Sequence, residues 1–194
     1  MITTKVLTGE ALEANLDAVA ALRIEVFRAF PYLYEGDLAY ERDYVATYRD
    51  SKGAVLVGAF DGDRLVGAAT GTPLADHAED FAAAFKDCPI PLERIFYCAE
   101  SVLLPAYRGQ GLGHRFFDLR EDHARSLGAT HSAFASVIRP DDHPLKPKGY
   151  RKLDDFWRGR GYAPLEGAIA KFTWRDIADK AQSTKPLQIW MREL

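Results

Sequence analysis

Cysteine is scarce. Cys88 and Cys98 are the only two in 194 residues, and they do not form a Cys-x-x-Cys pair. That argues against a disulfide framework and a cysteine-built zinc site, and it suits a reducing compartment. No apolar run approaches the roughly 20 residues that a membrane helix needs. The N-terminus lacks the apolar stretch of a signal peptide. The expectation is a cytoplasmic protein with no membrane partner. One-sided charge is missing too: 25 Lys and Arg against 28 Asp and Glu leave a net charge of -3. That balance gives no reason to expect nucleic acid as a partner. Internal repeats, low-complexity tracts and linkers are absent. What remains is ordinary for a soluble globular chain, with 47% hydrophobic and 27% charged residues. The length suits one domain over residues 1–194.

The most informative stretch is Arg108-Gly109-Gln110-Gly111-Leu112-Gly113. It follows the apolar run Val102-Leu103-Leu104 and opens a segment of helical periodicity. The chain is therefore expected to leave a strand, turn through glycines and enter a helix. A helix start carries unpaired N–H groups and the positive end of the peptide dipoles. Glycines let that backbone approach an anion closely. Two familiar phosphate motifs do not fit. No Gly-Lys-Ser or Gly-Lys-Thr follows, so it is not a P-loop. The third glycine of a dinucleotide fingerprint would fall on His114 or Phe116, depending on the frame.

The remaining elements follow from periodicity and breakers. Residues 2–8 predict a strand. A helix is expected from about Glu10 to the stop at Pro31, and a second from a cap at Asp37 to about Arg49. Asp61-Gly62-Asp63 between two apolar runs, 54–60 and 64–70, predicts a hairpin. A short helix over 76–87 and a strand over 94–104 precede the glycine turn. The helix that follows runs to about Leu127, with Gly128 at its C-cap and Arg115, Asp118, Glu121, Asp122 and Arg125 on its wet face. A strand over 131–138, a proline-rich loop over 139–152, a helix over 153–159 and two closing strands, 168–174 and 187–192, complete the chain.

Arg-x-x-Gly-x-Gly after an apolar strand, within Glu100 to Gly113, resembles the pyrophosphate-binding motif of the GCN5-related N-acetyltransferases, the GNAT superfamily. The order of elements is similar throughout. Phe156-Trp157-Arg158-Gly159-Arg160-Gly161-Tyr162 resembles the family's late helix more weakly. The resemblance implies an α/β (α+β) GNAT fold, a central mixed, mostly antiparallel sheet flanked by helices. It also implies acetyl-CoA as co-substrate, no metal, and an amine acceptor on a small or amino-acid-like molecule. A homodimer is compatible with it. Backbone groups of Val102, Leu103 and Leu104 would pair with the pantetheine arm. Arg108 and the N–H groups of Gly109, Gln110, Gly111, Leu112 and Gly113 would hold the pyrophosphate.

Glu100 is the candidate general base. Strict alternation would set it on one apolar face with Phe96, Cys98 and Val102, and burial there would raise its pKa. The competing reading is a structural ion pair with Arg94, Arg139 or another arginine. The family's usual acid, a Tyr on the late helix, corresponds to Trp157, which cannot serve. Tyr150, Tyr107 or water would have to replace it. Tyr32, Tyr34 and Glu35, between the first two helices, are candidates for an acceptor pocket. His143, in the loop Arg139-Pro140-Asp141-Asp142-His143-Pro144, is another; that loop also reads as a capped, proline-stiffened turn. Two other functions stay open: a non-catalytic acyl-CoA sensor, and a peptide or protein N-acetyltransferase.

Overall fold

A computed structural model describes residues 1–177 and 179–194. Seven strands form one sheet in the order β1-β2-β3-β4-β5-β7-β6. They are β1 (Ile2–Leu7), β2 (Val55–Asp61), β3 (Arg64–Pro73), β4 (Ile95–Leu103), β5 (His131–Val137), β6 (Ala163–Trp174) and β7 (Ser183–Glu193). All neighbours are antiparallel except β4 and β5. The helices are α1 (Gly9–Glu13), α2 (Leu16–Phe27), α3 (Leu38–Asp50), α4 (Ala78–Phe85), α5 (Leu112–Ser126) and α6 (Asp154–Gly159).

The expected order holds, with local differences. The first helix is two, because the chain turns at Ala14–Asn15 and the Asn15 side-chain amide donates to the Ala11 carbonyl. Asp37 caps α3 as expected, accepting from the Tyr40 N–H at 2.9 Å. The segment near 76 starts as a 3₁₀ turn before α4. The closing strands run longer than their apolar cores: β6 starts at Ala163 and is interrupted between Pro164 and Ile169.

One feature of the sheet sets up everything else. β4 and β5 pair only at Ile95↔His131, Phe96↔Ser132 and Tyr97↔Ala133, and then part. On its other side, β4 pairs Ser101 with Ala69 but Cys98 with Gly71. Two residues, Ala99 and Glu100, thus oppose Thr70 alone, which is a β-bulge. The bulge flips the phase of alternation. Phe96 and Cys98 pack with Phe117 and Ala124 of α5, whereas Glu100 reaches α2 and α3 on the other face. The expectation that these three share a face is therefore wrong, and the extra residue is the reason.

Candidate active site

A cleft of about 1050 Å³ opens where β4 and β5 diverge. Ala99, Ser101 and Leu103 line one wall, and residues 134–138 of β5 line the other. Arg108, Gly109, Gly111 and Gly113 stand at one end. Phe27, Phe30, Tyr32 and Tyr150 also line it.

The glycine turn is built for a ligand's backbone contact. Gly109 and Gly111 have φ of 77° and 79°, the left-handed region that favours glycine. A Cβ at either would meet nothing within 4 Å, so backbone conformation, not crowding, demands the glycine. Gly111 is the N-cap residue of the 15-residue α5, and no side chain caps that end. The first N–H groups of α5 are thus left for another acceptor. Leu112 and Gly113 line the cleft, while Gln110 does not. A pyrophosphate fits this end in charge and in donor count.

The β4 edge offers fewer backbone groups to the cleft than the sequence predicts. The Leu104 N–H donates to Val66 O at 3.0 Å. By antiparallel alternation, Leu104 and Val102 direct their backbone groups at β3, and Ser101 and Leu103 direct theirs at the cleft. Of Val102, Leu103 and Leu104, only Leu103 offers its backbone to a ligand, and Ser101 joins it. The Leu103 carbonyl already accepts from Arg108 Nε at 3.2 Å.

Arg120, which sequence reasoning did not single out, supports the bulge. It is 1% exposed. Its Nη1 donates to the carbonyls of Thr70 (3.1 Å) and Glu100 (3.0 Å), and its Nη2 donates to Ser101 Oγ (2.9 Å). These carbonyls lie where the bulge disrupts the ladder. Glu121, expected on the wet face, is also buried; it binds Arg160, Arg192 and the Tyr162 hydroxyl. A charged residue on a helix reads as solvated until a partner from a distant strand is known.

Glu100 is 3% exposed and fully engaged. It accepts from Arg23 Nη1, from the Thr70 hydroxyl and from the Tyr48 hydroxyl, the last at 2.7 Å. Arg23 also binds Glu41 through Nε. Burial by itself raises the Glu100 pKa; Arg23, Thr70 and Tyr48 outweigh it and hold the carboxyl below its ordinary 4.5. The expected rise is therefore reversed. The ion-pair partner is Arg23, and neither Arg94 nor Arg139 takes that place.

Arg139 instead ties together the far end of the cleft. It forms a two-pronged bond to Asp176 (2.7 and 3.0 Å) and donates to the carbonyls of Pro31 and Tyr32, both at 2.7 Å. Lys185 completes the cluster, 3.1 Å from Asp176. Burial raises the Asp176 pKa, but Arg139 and Lys185 pull it below the usual carboxylate value. The loop between α2 and α3 is also joined to the loop between β6 and β7. Glu35 N–H donates to Arg175 O (2.9 Å), and Ile177 N–H donates to Leu33 O (2.7 Å).

Of the expected acceptor residues Tyr32 lines the cleft, as does Tyr150, the candidate acid. Tyr34, Glu35 and His143 are not among its lining residues. Glu35 pairs with Arg28 at 3.1 Å, and Tyr34 makes an isolated strand bridge to Asp176. His143 Nδ1 accepts from Leu145 N–H at 3.2 Å, as in a capped turn. Its ring lies 5.6 Å from that of Phe30. Trp157 packs against Phe134 and Trp190, with centroids 4.9 and 5.1 Å away. Among the described residues no group of three or more His, Cys, Asp or Glu is placed to hold a metal. No described helix is long and apolar enough to cross a membrane.

Comparison with known proteins agrees with this geometry. The profile of the acetyltransferase (GNAT) family matches residues 18–146. No curated protein matches the chain by sequence. Among solved structures, the chain is similar to ribosomal-protein-alanine N-acetyltransferase from Brucella melitensis, with 14% identity, 99% of each chain covered and a TM-score of 0.62. It is similar to yncA from Salmonella typhimurium with its cofactor acetyl-CoA, with 11% identity, 99% of this chain and 94% of that one covered, and a TM-score of 0.60. It is also similar to the PaiA N-acetyltransferase from Thermoplasma acidophilum in complex with coenzyme A. There the identity is 12%, the coverage 100% and 99%, and the TM-score 0.54.

Proposed function

The chain belongs to the GNAT family of acetyltransferases and is an acetyl-CoA-dependent transferase; from that premise we propose that its acceptor is the primary amine of a small molecule with an aromatic or apolar body. The observation that carries this reading is the aromatic wall on the acceptor side, braced by two loops tied together. Backbone bonds and the Arg139–Asp176 pair join the two loops there, and a wall braced in this way favours a compact acceptor over an extended polypeptide. The wall is made of rings: Phe30 meets Tyr150 edge-on at 4.7 Å, and Phe27 lies 4.4 Å from Tyr32. Rings of this kind suit an apolar body and accept a cationic amine on their faces.

The donor side follows from the geometry above. Arg108, Gly109, Gly111, Leu112 and Gly113 take the pyrophosphate. The backbone of Ser101 and Leu103 takes the pantetheine arm as an added strand. That path leads along β4 toward the bulge at Ala99 and Glu100, where the thioester comes to lie. Glu100 is a poor base in this setting, because its bonds favour the anion. Its part is to fix Arg23 and the bulge.

Thiol release from acetyl-CoA tests the reading against a panel of arylalkylamines, polyamines and short peptides. Turnover of the small aromatic amines is expected, with little for the peptides. Efficient peptide turnover would overturn the acceptor assignment, and no release with any amine would favour the sensor reading. Within the same assay, Phe30→Ala should raise the acceptor KM about tenfold, the scale of one lost aromatic contact plus its burial. Its acetyl-CoA affinity should stay as it was. By contrast, Glu35→Ala should leave the acceptor KM close to that of the unaltered protein.

A further inference from the structure

We propose that Arg120 is a positioning residue for acetyl transfer. It fixes and polarises the Glu100–Ser101 peptide, whose N–H stabilises the acetyl oxygen as that oxygen gains negative charge. The inference rests on the placement of the thioester at the β4 bulge given above. Arg120 itself exchanges no proton or electron; it acts through the backbone that it holds.

Arg120 is a buried cation with no counter-charge. It is 1% exposed, yet it lines the cleft together with Ser101. Among the described residues every group it binds is neutral. Nε donates to Phe116 O at 3.2 Å, Nη1 to the Thr70 and Glu100 carbonyls, and Nη2 to Ser101 Oγ. The guanidinium also lies 4.9 Å from the centre of the Phe117 ring. A buried cation is costly unless negative charge compensates it. The carbonyl dipoles offset part of that cost. A ligand that gains negative charge in the cleft supplies the rest.

The bulge relays this charge to the reaction. Glu100 N–H turns toward β3 and donates to Thr70 Oγ at 3.2 Å. Glu100 O accepts from Arg120 Nη1 at 3.0 Å. In a trans peptide the carbonyl and the following N–H point in opposite directions. The N–H opposite Glu100 O is that of Ser101, which is directed at the cleft. A cation on the carbonyl draws electron density through the amide and makes that N–H a stronger donor. The bond from Nη1 to Thr70 O, at 3.1 Å, ties the same peptide to β3 where the ladder is disrupted. Ser101 O and Leu103 remain for the pantetheine arm. When the amine nitrogen bonds to the acetyl carbon, the carbonyl electron pair moves to oxygen, and Ser101 N–H is preset to meet it. When that pair returns, the carbon–sulfur bond breaks and the sulfur leaves with its electrons. The nitrogen sheds a proton to water and the thiolate takes one from water, so protons balance.

The infrared carbonyl stretch of isotope-labelled acetyl-CoA reads this polarisation without an acceptor. In the unaltered protein the bound thioester should absorb at lower frequency than free acetyl-CoA. Arg120→Gln removes the charge and keeps one donor group. It should lose that downshift and lower kcat with an arylalkylamine by at least about 100-fold, the scale of one lost oxyanion donor. Its CoA affinity by calorimetry should stay within a few-fold. A packing role alone would lower the melting temperature and move neither the stretch nor the kcat of folded protein. Arg120→Lys keeps the charge without the fork, so both readings should fall between those of the other two proteins. If Arg120→Gln does not fold, Arg120→Lys decides on the same readings. A folded variant with near-normal kcat, or with the full downshift, would overturn the role of Arg120. An unaltered protein with no downshift would mean that the thioester lies away from the bulge, which overturns that placement and the inference with it.

Discussion

Gly111→Asp is expected to remove CoA binding. The position has φ of 79° and supplies the N-cap of α5 with no side chain over the exposed N–H groups. Asp is a good N-cap residue, and its carboxylate would accept those same N–H groups. The substitution thus does three things to the ligand. It fills the donors, sets a negative charge beside the phosphates and adds a Cβ where a left-handed backbone disfavours one. Each hydrogen bond to a charged group is worth about 1.5–3 kcal/mol. Losing two of them lowers affinity by roughly 10²–10⁴-fold. The fold should survive, since a Cβ there meets nothing within 4 Å and the new cap offsets part of the strain. Calorimetry with CoA reads the outcome. An affinity within a few-fold of the original would mean that the pyrophosphate lies elsewhere. Gly111→Ala separates the backbone effect from the charge and should show the smaller loss.

The site was unevenly legible in the sequence, for physical reasons. The glycine turn could be read because its function is carried by backbone conformation, and only glycine writes that conformation into a sequence. The succession of strands and helices along the chain could be read from periodicity and breakers. The bulge could not. It depends on how Ala99 and Glu100 match Thr70 across two strands, and nothing local to β4 signals the extra residue. The misplaced face of Glu100 follows from it, whereas the misassigned backbone of Val102 and Leu104 follows from plain antiparallel alternation, which turns only every second residue to the cleft. Arg120 and Arg139 were hidden for a related reason. A buried arginine is defined by carbonyls and carboxylates far along the chain, and Arg139 meets residues 107 and 37 positions away. Tyr32 was legible as a lining residue of the cleft, but its anchoring by Arg139 and Trp174 appears only once β5 and β6 are placed beside it.

Removing Glu100 should cost stability before it costs chemistry. The carboxylate is the shared acceptor of Arg23, Tyr48 and Thr70. Glu100→Ala leaves two hydroxyls without that acceptor and leaves Arg23 with Glu41 as its remaining carboxylate. Breaking one side of a buried ion pair typically costs about 3–5 kcal/mol. For a chain of this size each kcal/mol is worth about 2–4 °C, so the melting temperature should fall by roughly 6–20 °C. Glu100→Gln should lose less, since the amide oxygen can still accept from a hydroxyl. The pH dependence gives an independent check. The folded pKa lies below the ordinary 4.5. Its stabilising contribution is therefore complete above about that pH and is lost as pH falls through the lower folded value. Unaltered protein should lose stability steeply in that acid range, and Glu100→Gln should lose it less steeply. Asp176, held low by Arg139 and Lys185, adds a similar acid loss that both proteins share. Turnover separates this role from catalysis. Folded Glu100→Gln protein should keep kcat within a few-fold, whereas loss of a general base lowers it by about 10²–10⁴-fold. A Glu100→Gln protein of unchanged melting temperature with kcat reduced on that scale would return Glu100 to the reacting groups and remove it from the buried ion pair's account.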